Sequence, residues 1–441
     1  MNHCRWPRKG AAQRKLYPNL PAEVEVIDCT LRDGEQAPGV WFTLEEKVDL
    51  ATRLDEAGVD LLDAGFPAAS ASDLEAIQEM RRRGIRAGLA ATARPVGADV
   101  ARAEAARADE VFLFMPTSDF RLRQTLGMSR ARASGVFLAG AEDVVSRGMR
   151  LNLVFEDASR ADVASMLRLV EQISARVPVR RLVICDTVGA SSPASMERLI
   201  GRFHAAFGRQ IVLCTHCHND FGLAVANTLS AVGAGAQAVT CTVNGIGERA
   251  GNADLAETVA ALTHVYRVRH HVDPDRLVPL SRLVEQLSGI HTSAIKPVTG
   301  FNVYRHESGV HVDGMLKDPL SYEYLPAGWV GRQTEYVLGK HSGSALVRAL
   351  LDEGGFPVTE DVVARVLLGV KAATERRSKA GHQEMFAQVE AFRRSHLSGI
   401  DPGVLFAALE RETAGTGLET VPAADGPCAE REPQEQLVVT G

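Results

Sequence analysis

His216 and His218 stand two residues apart at the end of an apolar, β-like run. Side chains at i and i+2 of a strand project to one face, so both imidazoles can grip one ion. If that run is the seventh of eight closing into a barrel, the first strand comes round beside it. The loop acids Asp33 and Glu35 then lie next to the histidines. Two nitrogens with added oxygens suit Zn, Mn or a Mg-like ion that keeps positions open for a substrate. Spacing alone leaves a second reading open, in which the pair are polar loop residues facing solvent. Arg32, beside Asp33, is able to hold negative charge on an enolate or alkoxide oxygen, or to form a surface ion pair. Glu156, and Asp186 with Thr187, end two further apolar runs and either bind substrate or cap the next helix. Gly245, Gly247 and Gly251 give the loop 244–252 a backbone that can approach a ligand closely. Further on, His306, Glu307 and His311, with Tyr322, offer groups for proton transfer or merely a polar loop.

Bringing these groups together requires a regular scaffold, and the chain repeats one rhythm from about residue 24 to 267. Short β-branched runs fall at 24–30, 61–66, 86–92, 110–116, 150–157, 181–187, 210–218 and 238–244. Between them lie helical segments with start signals, such as Thr43 with Glu46 and the Pro193 that opens 194–199. Strand and helix alternating eight times predicts parallel strands closed into a (β/α)8 TIM barrel, with reactive groups at the carboxyl ends of the strands. No GxGxxG follows the first strand, against a dinucleotide-binding sheet. The expected division is an N-terminal extension (1–22), a barrel (23–280), an extended arm bearing His311 and Tyr322 (281–341), a small helical C-terminal subdomain (342–412) and a disordered tail (413–441).

The 441 residues suit such a barrel of ~250 residues plus an appendage. Their net charge of -6 is interspersed, which excludes a nucleic-acid face or a polybasic membrane patch and points to small-molecule substrates. The seven cysteines (Cys4, Cys29, Cys185, Cys214, Cys217, Cys241 and Cys428) mostly sit in apolar runs and read as buried free thiols of a reducing cytoplasm. Cys214 and Cys217 have no second CxxC to complete a zinc ribbon. No run is long and apolar enough for a membrane span, and residues 1–10 are polar and basic. A cytoplasmic, unexported protein is expected.

Taken together, the strings 28–36 (DCTLRDGEQ), 216–224 (HCHNDFGLA), 243–252 (VNGIGERAGN), 306–314 (HESGVHVDG) and 338–343 (LGKHSG) resemble the acyltransferase branch of the DRE-TIM metallolyases, the homocitrate and isopropylmalate synthases. The resemblance implies a divalent metal held by Asp33, His216 and His218, with Asn252 a further ligand ahead of Asn244. It implies that Arg32 steadies an enolate, that Glu156 (with a catalytic role), Thr187 and Gln36 meet the 2-oxo acid, and that His311 with Tyr322 moves protons. Acetyl-CoA is the implied co-substrate, and a homodimer that swaps the arm is the implied assembly. The segment 118–127 (SDFRLRQTLG) and the arm are most similar to bacterial homocitrate synthases, whose acceptor is 2-oxoglutarate. Arg123 or Arg121 is the expected cation for its distal carboxylate. The segment 65–70 (GFPAAS) is more like isopropylmalate synthases, so isopropylmalate- or citramalate-type acceptors, or a phosphonate-bearing 2-oxo acid, stay open. So does a lyase or aldolase of the same superfamily.

Overall fold

The computed structural model describes residues 15–208 and 210–413. Eight parallel strands, β1 (Glu25–Asp28), β2 (Leu61–Asp63), β3 (Gly88–Ala93), β4 (Glu110–Pro116), β5 (Arg150–Glu156), β6 (Arg181–Asp186), β7 (Val212–Cys217) and β8 (Ala238–Cys241), form a closed barrel in sequence order. Closure is made by β8 against β1, where Glu25 pairs with Ala238 and Asp28 with Cys241. The (β/α)8 expectation is met, and each β-branched run contains its strand except the third, where β3 continues one residue past 92. Around the barrel run α1 (Leu44–Glu56), α2 (Ala71–Arg83), α3 (Gly97–Ala105), α4 (Asp119–Gln124), α5 (Arg130–Ser146), α6 (Val163–Ser174), α7 (Pro193–Phe207), α8 (Ala224–Gly233) and α9 (Leu255–Ala261).

Local chemistry starts these helices where the sequence signals them. The Thr43 amide donates to Glu46 Oε2 (2.8 Å) and the Glu46 amide returns to Thr43 Oγ1 (3.2 Å), a reciprocal cap for α1. Ser192 caps α7 with Pro193 in its first turn.

Inside the barrel, alternation sorts side chains into layers. At the amino ends of the strands a buried ionic floor forms: Arg181 contacts Glu110, donates to Glu25 (2.7 Å) and to Asn152 (3.2 Å), and Asn152 donates to Glu110 (3.0 Å). Such a cluster costs ~3–5 kcal/mol if one partner is removed. Above it lies an apolar plug that includes Ile27, Leu61, Ala90, Phe112, Val183, Cys214 and Ala238. Polar side chains occupy the carboxyl ends. Cys29, Cys185, Cys214, Cys217 and Cys241 are buried free thiols as expected, while Cys4 and Cys428 lie outside the described residues.

The rhythm does not break at residue 281. Helix α10 (Leu277–Ser288) runs through that boundary, because its buried stripe Leu277, Leu280, Ser281, Val284 and Ser288 keeps helical spacing. Asn244, held at a left-handed φ of 61°, docks it by accepting from Ser281 Oγ (2.5 Å) and donating to Ser281 O (2.8 Å). Lys296 then ties the following segment to Asp254 and Glu257 at the start of α9 (3.0 Å each). Beyond it β9 (Arg305–His306) pairs in parallel with β10 (Glu335–Tyr336), and α11 (Gly309–Lys317) packs on α12 (Ser344–Glu353). Helices α13 (Glu360–Glu375) and α14 (Ala380–His396) follow, and α14 buries none of its residues. The chain divides into compact units 1–397 and 398–441, and the described part of the second is chiefly α15 (Pro402–Thr413). The expected tail, 413–441, lies outside the described residues apart from Thr413.

Candidate functional site

The turn after β1 sets the first carboxylate. Cys29 O accepts from the amides of Arg32 (3.2 Å), Asp33 (2.8 Å) and Gly34 (3.1 Å), a tight winding that folds Asp33 back over the barrel mouth. Across the closure, β7 delivers His216, and His218 follows directly at the strand's carboxyl end. Their Nε2 atoms are 3.3 Å apart, and His216 Nε2 lies 3.4 Å from Asp33 Oδ2. One ligand atom from each of the three buried side chains lies within 4.8 Å of the others. Thr240 on β8 fixes the His216 ring through Nδ1 (2.8 Å). A β-bridge pairs His218 with Asn252, whose amide donates to Asp33 Oδ1 (2.9 Å). Gly247 makes that approach possible, since a Cβ there would meet Asn252 Nδ2 at 2.1 Å.

The electrostatics favour a cation. Burial, followed by the charge of His216, holds the His218 imidazolium down to about 4, so the ring is neutral with a free lone pair. Burial opposes charge on Asp33, but the Arg32 guanidinium and then His216 keep its carboxyl well below the usual range. His218 Nδ1 and Asn252 Oδ1 are buried without hydrogen-bond partners. A carboxylate, two buried imidazoles and an orphaned amide oxygen converging in one spot fit a divalent ion.

A cavity of about 370 Å³ opens on this cluster and is lined by Arg32, Gln36, Glu156 and Thr187 among others. Arg32 is braced by Asp63 through Nε and by Asp33 through Nη1, both at 2.7 Å. Thr187 Oγ1 accepts from the Asp157 amide (2.8 Å), and Glu156 is ion-paired with Arg121. Arg123 is a correction. On α4 the Ser118 cap sends Arg121 to the cavity, whereas the Arg123 side chain is 71 % exposed and faces Asp119 at 3.6 Å. Glu35 also departs from expectation: it turns from the histidines to accept from Lys47 Nζ (2.6 Å) and the Phe42 amide (2.8 Å). Asn244 is spent on Ser281 and offers the cluster nothing.

His311 and Tyr322 do meet each other, their rings 4.3 Å apart between centroids, but both are exposed and neither lines this cavity. Three contributors escaped the sequence reading. Asp63 was visible as the one acid in the run LLDAGF, and Thr240 as a hydroxyl facing inward on β8. Lys47, a fully buried lysine of α1, did carry a signal: with Leu50, Ala51 and Leu54 at i+3, i+4 and i+7 it falls on the apolar stripe of its helix, where a lysine needs a buried counter-charge.

Comparison with known proteins adds the following. Residues 23–284 match the HMGL-like family, and residues 298–378 match the homocitrate synthase post-HMGL domain-like family. A probable 2-isopropylmalate synthase of Ignicoccus hospitalis is 42% identical across 80% of this chain and 88% of its own. The homocitrate synthase AksA of Methanothermobacter thermautotrophicus is 38% identical across 84% of this chain and 94% of its own. The hydroxymethylglutaryl-CoA lyase of Pseudomonas aeruginosa shares the fold at a TM-score of 0.55, with 21% identity over 62% of this chain and 95% of that one.

Proposed function

Since the chain belongs to the HMGL-like family and carries a homocitrate synthase post-HMGL segment behind its barrel, we propose that it joins the acetyl group of acetyl-CoA to the carbonyl carbon of a 2-oxo acid and then releases CoA by hydrolysis. The observation that carries this reading is the buried convergence of Asp33, His216 and His218 beside Arg32 at the mouth of the barrel. Relatives in the curated set are synthases of this acyltransferase kind.

Asp33, His216 and His218, with Asn252, would hold the divalent cation, which when bound polarises the 2-oxo group and anchors its carboxylate. Gln36 and Thr187 orient the acceptor. A base removes a proton from the acetyl methyl, and the resulting carbanion forms the new bond to the keto carbon. The keto oxygen takes up the electron pair and then a proton. Arg32, rigid between two carboxylates, faces the negative oxygen that develops, and Glu156 assists proton movement at the acceptor. Water finally cleaves the thioester, releasing the CoA thiol and making the condensation one-way.

The base is assigned to His311 with Tyr322. Because both are exposed and absent from this cavity wall, the assignment requires them to act in a second subunit, in an arm-swapped homodimer. The unburied surface of α14, with Met385 and Phe386 more than half exposed, supports an assembly larger than one chain. Homocitrate-, isopropylmalate- and citramalate-type reactions, and one on a phosphonate-bearing acceptor, share every step above. A lyase of the same superfamily would release no CoA thiol from acetyl-CoA and a 2-oxo acid.

The test is metal analysis together with thiol-trapped CoA release from acetyl-CoA and a panel of 2-oxo acids. Purified protein is expected to carry about one divalent ion per chain and to release CoA only when an acceptor is present. His216→Ala should lose both properties. Retention of metal and CoA release by that variant would refute the site.

A further inference from the structure

We infer that the acceptor carries an uncharged hydrocarbon side chain, and that Phe112, Phe114 and Val154, on the wall across from the Asp33, His216 and His218 cluster, set its size. This rests on the reading that the site condenses a 2-oxo acid with acetyl-CoA.

The placement follows from strand order. In a ring of eight, β3, β4 and β5 stand opposite β7, β8 and β1; β3 contributes Thr92, whose hydroxyl is spent on Asp63 (3.0 Å), and the rest of the wall facing the cluster is built by the inward residues of β4 and β5. Those residues lining the cavity are Phe112, Phe114, Val154 and, at the carboxyl end of β5, Glu156, which Arg121 already engages; Phe66 meets Phe114 edge-to-face at 5.9 Å between centroids, so below Glu156 the wall is carbon. An acceptor whose carboxylate and ketone sit at the cluster therefore points the rest of its carbon chain at aromatic and aliphatic carbon.

The cations agree. The cavity is lined by Arg32, Arg121 and Arg249, and an acid already engages each. Arg32 has Asp33 and Asp63, Arg121 has Glu156, and Arg249 has Asp220 at 2.8 Å as well as the Thr187 carbonyl at 2.6 Å. A distal carboxylate or phosphonate would have to strip Glu156 from Arg121 and leave that acid without its counter-charge. Set against the carbon of Phe112, Phe114 and Val154, with every cation of the lining already paired to an acid, such a group loses hydration that no new ion pair restores without breaking an existing one. A hydrocarbon tail displaces no ion pair.

The experiment compares kcat/KM for CoA release across pyruvate, 2-oxobutyrate, 2-oxoisovalerate, phenylpyruvate, 2-oxoglutarate, oxaloacetate and phosphonopyruvate, at fixed saturating acetyl-CoA. From pyruvate upward, each added methylene that finds room should raise kcat/KM roughly three- to fourfold. The acidic acceptors should fall at least about tenfold below the best hydrocarbon one. Val154→Ala should move the optimum toward a longer or bulkier side chain. A higher kcat/KM for any acidic acceptor overturns the inference while leaving the condensation reading intact, and an unmoved optimum in Val154→Ala removes Val154 from the assignment. CoA release with no acceptor at all would instead overturn both.

Discussion

Asp28 and Asp33 leave the same strand and are driven in opposite directions. Arg32 stands over Asp33 and keeps it ionised against the cost of burial. Asp28 has only the Thr30 amide (2.8 Å) and hydroxyl (3.0 Å), and complete burial pushes it up to about 7. In the unfolded chain it ionises near its ordinary value, so a raised folded value stabilises the protein fully below that value and loses the contribution as pH rises through about 7. Asp28→Asn should therefore flatten the fall in stability between about pH 5 and about pH 7, a slope of at most ~1.4 kcal/mol per unit. Denaturant melts of both proteins across that range measure it, and parallel pH profiles would refute the role. At this scale the sequence is readable where spacing is geometry: His216 and His218 had to share a face once a strand carried them. It is less readable where a turn of helix decides. Arg121 and Arg123 lie two positions apart, about 200° around an α-helix, and only the capping role of Ser118 settles which of them enters the cavity.

Lys47 operates on elements rather than atoms. Its side chain is 1 % exposed, and its ammonium bridges Glu35, in the turn after β1, and Asp73, in the first turn of α2. Asp73 also accepts from the amide of Phe66 (2.7 Å), a cavity residue on the loop after β2. One buried cation thus pins two adjacent loops of the mouth to helices α1 and α2. Lys47→Met should cost about 3–5 kcal/mol in denaturant melts, because two acids lose their counter-charge. It should also raise KM for the acceptor through the loosened Phe66 and Gln36. A variant of wild-type stability would show that the tie is idle. The strands and their order were legible because short β-branched runs between capped helices admit few topologies. The end of the barrel was not, since Ser281 and Ser288 occupy the buried face of α10 and read on paper as loop residues.

For the whole molecule, the separation of His311 and Tyr322 from the cavity makes an assembly prediction. If each arm serves a neighbour, then His216→Ala and His311→Ala, each inactive alone, should regain about a quarter of wild-type CoA release when unfolded together and refolded, since half of the dimers would be mixed and each would hold one intact site. No recovery, with mixed dimers demonstrated by mass, would place the arm elsewhere.

The ionic floor of Arg181, Glu110, Glu25 and Asn152 has a kinetic corollary. With its lower end sealed, the barrel is a cul-de-sac, and traffic through it is last in, first out. For the condensation proposed above, the small keto acid should therefore seat before the bulky thioester stoppers the mouth, and CoA should clear the doorway before the new diacid escapes, an order that product-inhibition kinetics checks.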